Sequence, residues 1–183
     1  MPLYRCALEA SMGSALYVNV WYIEAVTGQA SAIGTAWVNQ VSTPYVNCLH
    51  SSITLDQMVV TEVSANTQVT TLINTPGTQT TEMSAPQNAA VISWRTMYIG
   101  KSARGRTYVF GLPEGAQNAG IITNSQLALL AALASALRVA WPAAFGGKLV
   151  LFHRITGGYT DIMSSIVRDV VYTQRRRTLG VGA

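Results

Sequence analysis

Residues 15–25 constrain the fold more than any other stretch of this chain. Tyr17, Asn19, Trp21 and Ile23 alternate with Leu16, Val18, Val20 and Tyr22. The period is two and the side chains are mainly β-branched and aromatic, which predicts a strand. Residues 3–10 read the same way, and Met12-Gly13-Ser14 between the two suits a hairpin or bend. Further strands are expected at 53–63, 68–74, 89–99, 106–112, 148–155 and 166–173. Thr75-Pro76-Gly77-Thr78 is a turn signal. Residues 64–84 are rich in Thr, Ser, Asn and Gln and read as exposed strands and loops.

Two segments change period. Ile33, Trp37 and Val41 fall at i, i+4 and i+8 within 31–41, one face of a helix, with Ser31 as a candidate N-cap. A second helix is expected from a cap at Asn124 or Thr123 to about Val139. Leu127, Leu129, Leu130, Leu133 and Leu137 are interleaved there with alanines. It is apolar nearly all round, which predicts cover on more than one side and makes Leu130, Leu133 and Leu137 candidate subunit-interface residues. Pro142 and Gly146-Gly147 end it. Eight strands with two helical insertions make a mainly β chain, a β-sandwich of jelly-roll-like type. No internal repeat and no interdomain linker are visible. Residues 1–174 form one β-rich domain and residues 175–183 a basic, flexible tail.

Composition narrows the function classes. Of 183 residues, 49% are hydrophobic and 11% charged, against about 25% charged in typical soluble proteins. Much of the surface is therefore neutral or apolar, as expected where other subunits cover it or, more plainly, in an ordinary protein rich in Thr, Ser, Asn and Gln. The most apolar stretch, 127–145, is interrupted by Ser135, Arg138 and Pro142 and falls short of the roughly 20 apolar residues of a membrane helix. No secretory leader is expected, because residues 1–12 hold Arg5 and Glu9 and no continuous apolar run. Charge is divided unevenly. Residues 1–94 hold one base and five acids, −4; residues 95–183 hold eleven bases and three acids, +8. That asymmetry fits a polyanion partner or complementary contacts between copies.

Catalytic and cofactor patterns are missing from the sequence. His50 and His153 stand in no metal-ligand spacing, and His153 reads as a core residue of an apolar strand. Cys6 and Cys48 have no redox or metal spacing, and two buried thiols are favoured over one disulfide. No G-x-S-x-G occurs. Ile99-Gly100-Lys101-Ser102 imitates the end of a phosphate-binding loop, but Arg95 stands where that motif needs its first glycine. No enzyme activity, cofactor or metal is expected. Basic residues remain: Arg95, Lys101, Arg104 and Arg106 around one glycine-bearing loop, and Arg175, Arg176 and Arg177 at the chain end. Guanidinium forks suit phosphate oxygens. Tyr98, Tyr108 and Phe110, interleaved with the first cluster, are candidates to stack on bases. Lys101, Arg104, Arg106, Arg175, Arg176 and Arg177 are the candidate nucleic-acid-binding residues. A solvated loop and a frayed tail are the plainer alternative.

From Ile92 onward the chain resembles small virion structural, coat-like proteins encoded by environmental viruses and phage-like genomes. The likeness rests on Ser93-Trp94-Arg95-Thr96 and on Gly100-Lys101-Ser102-Ala103-Arg104-Gly105-Arg106-Thr107-Tyr108. A leucine/alanine helix follows, then residues 149–154 ending His153-Arg154, then the closing Thr173-Gln174-Arg175-Arg176-Arg177. The order of these pieces matches, while residues before 92 match in general character only. The resemblance implies a virion location and a coat (capsid) subunit that assembles with identical copies and packages viral nucleic acid, with no membrane partner. A phage head-decoration or tail structural protein, or a nucleic-acid-binding module, are the alternatives.

Overall fold

The structure, a computed structural model, describes residues 1–80, 94–101, 107–113, 124–145, 149–155 and 158–161. The first pair of strands, β1 (Leu3–Met12) and β2 (Ala15–Glu24), forms an antiparallel hairpin. It turns at Gly13, whose φ of 58° suits a residue without a Cβ. Pairing sets Tyr4, Cys6, Leu8 and Ala10 opposite Ile23, Trp21, Asn19 and Tyr17 on one face. That face is the core side, and all but the partly buried Ile23 are buried there.

The chain then enters α1 (Ala30–Val46), which is longer than the expected 31–41 and continues past Pro44. Ser31 is not its cap. Gln29 holds the N-cap position, and no side chain caps it. The approach is fixed instead by long-range bonds: Gln29 N–H donates to the Tyr4 hydroxyl (3.1 Å), and Gly28 N–H to Glu62 Oε2 (3.0 Å). Gly34 is a weak helix former placed where α1 lies against the sheet. A Cβ there would stand 3.0 Å from Thr71 Oγ1. Next come β3 (Thr54–Glu62) and β4 (Thr67–Pro76), completing a sheet of order β2-β1-β3-β4. Gly77 follows β4, which takes in Thr75 and Pro76 of the expected turn as strand. A Cβ on it would fall 2.2 Å from the His50 carbonyl oxygen and 2.4 Å from that of Leu49.

The second sheet contains β5 (Trp94–Lys101), β6 (Thr107–Pro113), β7 (Leu149–Ile155) and β8 (Gly158–Asp161), in the order β6-β5-β7-β8. Between β6 and β7 lie α2 (Asn124–Ala140) and the short α3 (Pro142–Phe145). Pro142 thus opens a new turn of helix after α2 ends. The expected strand at 166–173 and the tail at 175–183 lie outside the described residues, as does the 81–93 part of the expected 64–84 and 89–99 segments. β8 begins at Gly158.

The chain is therefore mainly β, with two antiparallel sheets and two long helical insertions, as the sequence implies. Its connectivity is a tandem. Each sheet comes from one half of the chain, and both halves run ββαββ with one strand order. A Greek key, the unit of a jelly roll, would return the fourth strand beside the first. Here the first and third strands of each half pair, and the helix carries the chain from the outer second strand back to the inner third. The expectation of no internal repeat thus gives way to a repeat of topology. It is legible in buried positions rather than identities: Gly34, Trp37, Val41 and Tyr45 in α1 have the spacing of Leu130, Leu133, Leu137 and Trp141 in and after α2, and all eight are buried.

The halves meet through equivalent elements, α1 against α2 and β2 against β6. At the second contact the Asn19 amide acts like a missing strand partner. Its Nδ2 donates to the Gly111 carbonyl (3.1 Å), and Gly111 N–H donates to its Oδ1 (3.0 Å). The Tyr45 hydroxyl donates to the same Gly111 carbonyl (3.3 Å). Aromatic rings close the seam: Trp21 lies 4.1 Å from Trp37 and 5.5 Å from Trp141, and Phe110 5.4 Å from Tyr45, centroid to centroid. One core cluster therefore spans both halves.

Candidate assembly surface

On the side of the first sheet away from the helices, strand register lays out three rows. Tyr22, Arg5, Thr61 and Gln68 form one; Val20, Ala7, Val59 and Thr70 the next; Val18, Glu9, Gln57 and Leu72 the third. Alternation puts these side chains opposite the core-facing set. Leu16 (61% exposed), Val20, Tyr22 and Leu72 (70% exposed) are open to solvent, while Ala7 and Val59 at the centre are buried. Leu3 and Val63 add exposed apolar surface at one end. Much of the polar complement is engaged within the sheet. Gln57 Nε2 donates to Glu9 Oε2 (2.7 Å), and Ser11 Oγ to Asp56 Oδ1 (3.0 Å). The face is thus apolar and neutral over most of its width, a composition that favours contact with another macromolecular surface.

The carboxylates of the first half are not all available to a basic partner. Glu62 is only 4% exposed and serves the interior. Besides Gly28 N–H it accepts the Tyr4 hydroxyl (2.8 Å) and the Ser64 hydroxyl (3.4 Å). These bonds, led by Gly28 N–H, hold its carboxyl below the usual range against an opposing effect of burial. Cys6 and Cys48 are both buried thiols, the favoured reading, and burial pushes each up to about 12.

The candidate nucleic-acid residues separate into two groups. Lys101 closes β5, paired with Thr107 of β6 across the hairpin mouth. Arg104 and Arg106, and Arg175, Arg176 and Arg177, lie outside the described residues. The aromatic side chains expected to accompany the loop are committed elsewhere. Tyr98 and Phe110 pair across β5 and β6 and face the core, fully buried. The Tyr98 hydroxyl donates to the Leu130 carbonyl of α2 (2.8 Å). Tyr108 packs edge-on against Trp141 at 4.6 Å. Stacking of bases on Tyr98 and Phe110 is thereby excluded in the folded chain: strand alternation turned their rings inward.

Leu130, Leu133 and Leu137 are likewise corrected. Each is 0% exposed within the single chain and belongs to its core, so none of the three offers surface to a neighbour. The outward side of α2 carries Ala128, Ala132, Ser135, Arg138 and Val139. Alanines had blurred the distinction between a helix covered all round and one covered on a single side. The surface residues missed in their place are Leu16, Val18, Val20 and Tyr22, the second apolar set of residues 15–25, whose visible signal was a strand with no polar face.

Among the described residues no group of three or more His, Cys, Asp or Glu side chains is placed to hold a metal. His153 falls in β7, paired with Thr96. His50 Nδ1 lies 2.8 Å from the Ser52 hydroxyl and accepts Ser52 N–H at 3.2 Å, the closure of a local turn. No helix among the described residues is long and apolar enough to cross a membrane. Comparison with protein-family models, with curated proteins and with solved structures finds no match for this chain.

Proposed function

We propose that this chain is a coat subunit of a small virus, a non-enzymatic protein that works by assembling with identical copies into a shell. The observation that carries the reading is the exposed apolar face of the first sheet. A chain that leaves Leu16, Val20, Tyr22 and Leu72 open and holds 11% charged residues is suited to life among neighbours. The resemblance of residues 92–177 to coat-like proteins supports the same reading. In it, Lys101, Arg104 and Arg106 and the tail Arg175, Arg176 and Arg177 face nucleic acid, where paired guanidinium bonds and counterion release favour phosphate.

The test is electron microscopy and nucleic-acid content of the protein expressed alone. Closed particles are the expected result. Tubes or rings would assign the chain to a phage tail or head accessory, and monomers at every concentration would overturn the reading. Replacing Arg175, Arg176 and Arg177 with Ala should lower the log–log salt slope of nucleic-acid binding by about 2–3 units and reduce packaged cargo. Unchanged cargo with impaired assembly would assign the tail to an acidic neighbour instead.

A further inference from the structure

We infer that β4 is the edge through which two copies of this chain join, pairing antiparallel with the same strand of a second copy about a two-fold axis perpendicular to the sheet. The proposal rests on the self-assembly reading above and names the surface that performs one of its contacts.

The first sheet has two edges. The β2 edge is occupied from within the chain, where Asn19 bonds both backbone groups of Gly111 in β6. At the other edge, β4 pairs with β3 alone among the described residues. Exposed strand edges are usually blunted by charge, proline, short length or a bulge, because their unpaired N–H and C=O groups otherwise recruit another strand. β4 has ten residues, Thr67–Pro76, none of them charged, with proline only at the end. Its one irregularity lies beyond Leu72, near Asn74 with φ 48°. Residues 67–72 stay in unbroken register with β3, which leaves a regular, neutral, β-branched edge of six residues.

The chemistry of that edge selects a second copy. In an isologous contact a residue on the axis meets its own copy and every other residue its mirror position, so a neutral strand brings no like charges together and leaves no charge without a partner; β4 has no charged residue. Residues directly opposite in an antiparallel pair share a face, so the two-fold axis passes through a residue. An axis at Thr70 sets Gln68 of one copy opposite Leu72 of the other on the exposed face. The helix layer permits this approach. α1 packs over β3 and β4 and has no charged residue, and Ala32, Thr35, Ala36 and Asn39 on its open side are small or neutral. The arrangement would repeat between copies what the two halves already do within one chain: ββαββ units joined at a strand edge with their helices alongside.

The test is a single-cysteine scan through Gln68, Val69, Thr70, Thr71 and Leu72 with a short thiol cross-linker, alongside Thr70→Lys and Leu72→Lys. Cys6 and Cys48 provide a quiet background, being buried with thiols that resist ionisation. Cross-linked dimer should concentrate at one position, Thr70→Cys, with adjacent positions several-fold lower. The lysine variants should keep wild-type circular dichroism and melting temperature and self-associate at least tenfold more weakly. If wild type assembles and the lysine variants assemble equally well, with cross-linking flat across the scan, the β4 pairing is overturned and the coat reading stands. If wild type never assembles, both fall.

Discussion

Glu62 is a buried carboxylate whose hydrogen-bond partners are Tyr4, Gly28 and Ser64. It steadies the segment entering α1, near the positive end of the helix dipole. Its carboxyl is held below its ordinary value, so the folded chain binds that proton less readily than the unfolded one. The stability it contributes is present above the unfolded carboxyl value of about 4.3 and is lost as pH falls through the lower folded value. Glu62→Gln should therefore lower the urea midpoint at pH 7, and the gap to wild type should narrow progressively as pH falls below the unfolded carboxyl value. A gap constant across that range would show that packing, not charge, is what the residue supplies. Neither partner of this cluster is deducible from sequence spacing, because Tyr4 and Glu62 lie 58 positions apart.

At the scale of elements, α2 shows how one sequence pattern holds two environments. Leu133 is fully buried and Ala132 beside it is exposed. Leu133→Ala should cost about 2–5 kcal/mol, the transfer of the side chain plus the cavity it leaves. Ala132→Lys should stay within about 0.5 kcal/mol, as for open surface positions. Chemical denaturation of the two variants checks the pair; equal losses would mean that the outward side of α2 is also packed. Strand and helix positions were legible here. Residues 15–25, 53–63 and 106–112 and the helix from Asn124 all match elements to within a few residues, because local periodicity decides whether a segment can bury one face. α1 ran five residues beyond its expected end at Val41, through Pro44. Buried Tyr45 and Val46 show why: tertiary packing outweighed the proline signal.

At the scale of the molecule, two ββαββ halves share one core, and the Asn19–Gly111 pair sits at their seam. Asn19→Ala should leave a buried N–H and a partly satisfied carbonyl on Gly111, at about 1–3 kcal/mol. The seam also holds Trp21, Trp37 and Trp141, so their fluorescence reports it. Fluorescence and far-UV circular dichroism should give one coincident melting curve in wild type and an earlier fluorescence transition in the variant. Coincident curves in both would mean that the halves depend on the ring cluster alone.

By itself the sequence determined the mainly β class, the two helices, the bend at Gly13 and the uneven division of charge. These follow from short-range periodicity, from backbone freedom at particular residues, and from counting. It also marked residues 15–25 as a strand of two alternating sets, without saying which set lies inward. Tertiary structure decided that. It turned Tyr98, Phe110, Leu130, Leu133 and Leu137 into the core, left Leu16, Val20, Tyr22 and Leu72 outside, and placed Asn19 against a backbone 92 positions away. A strand or helix with apolar residues on more than one side has no local preference among them, and only the docking of distant elements selects which is covered.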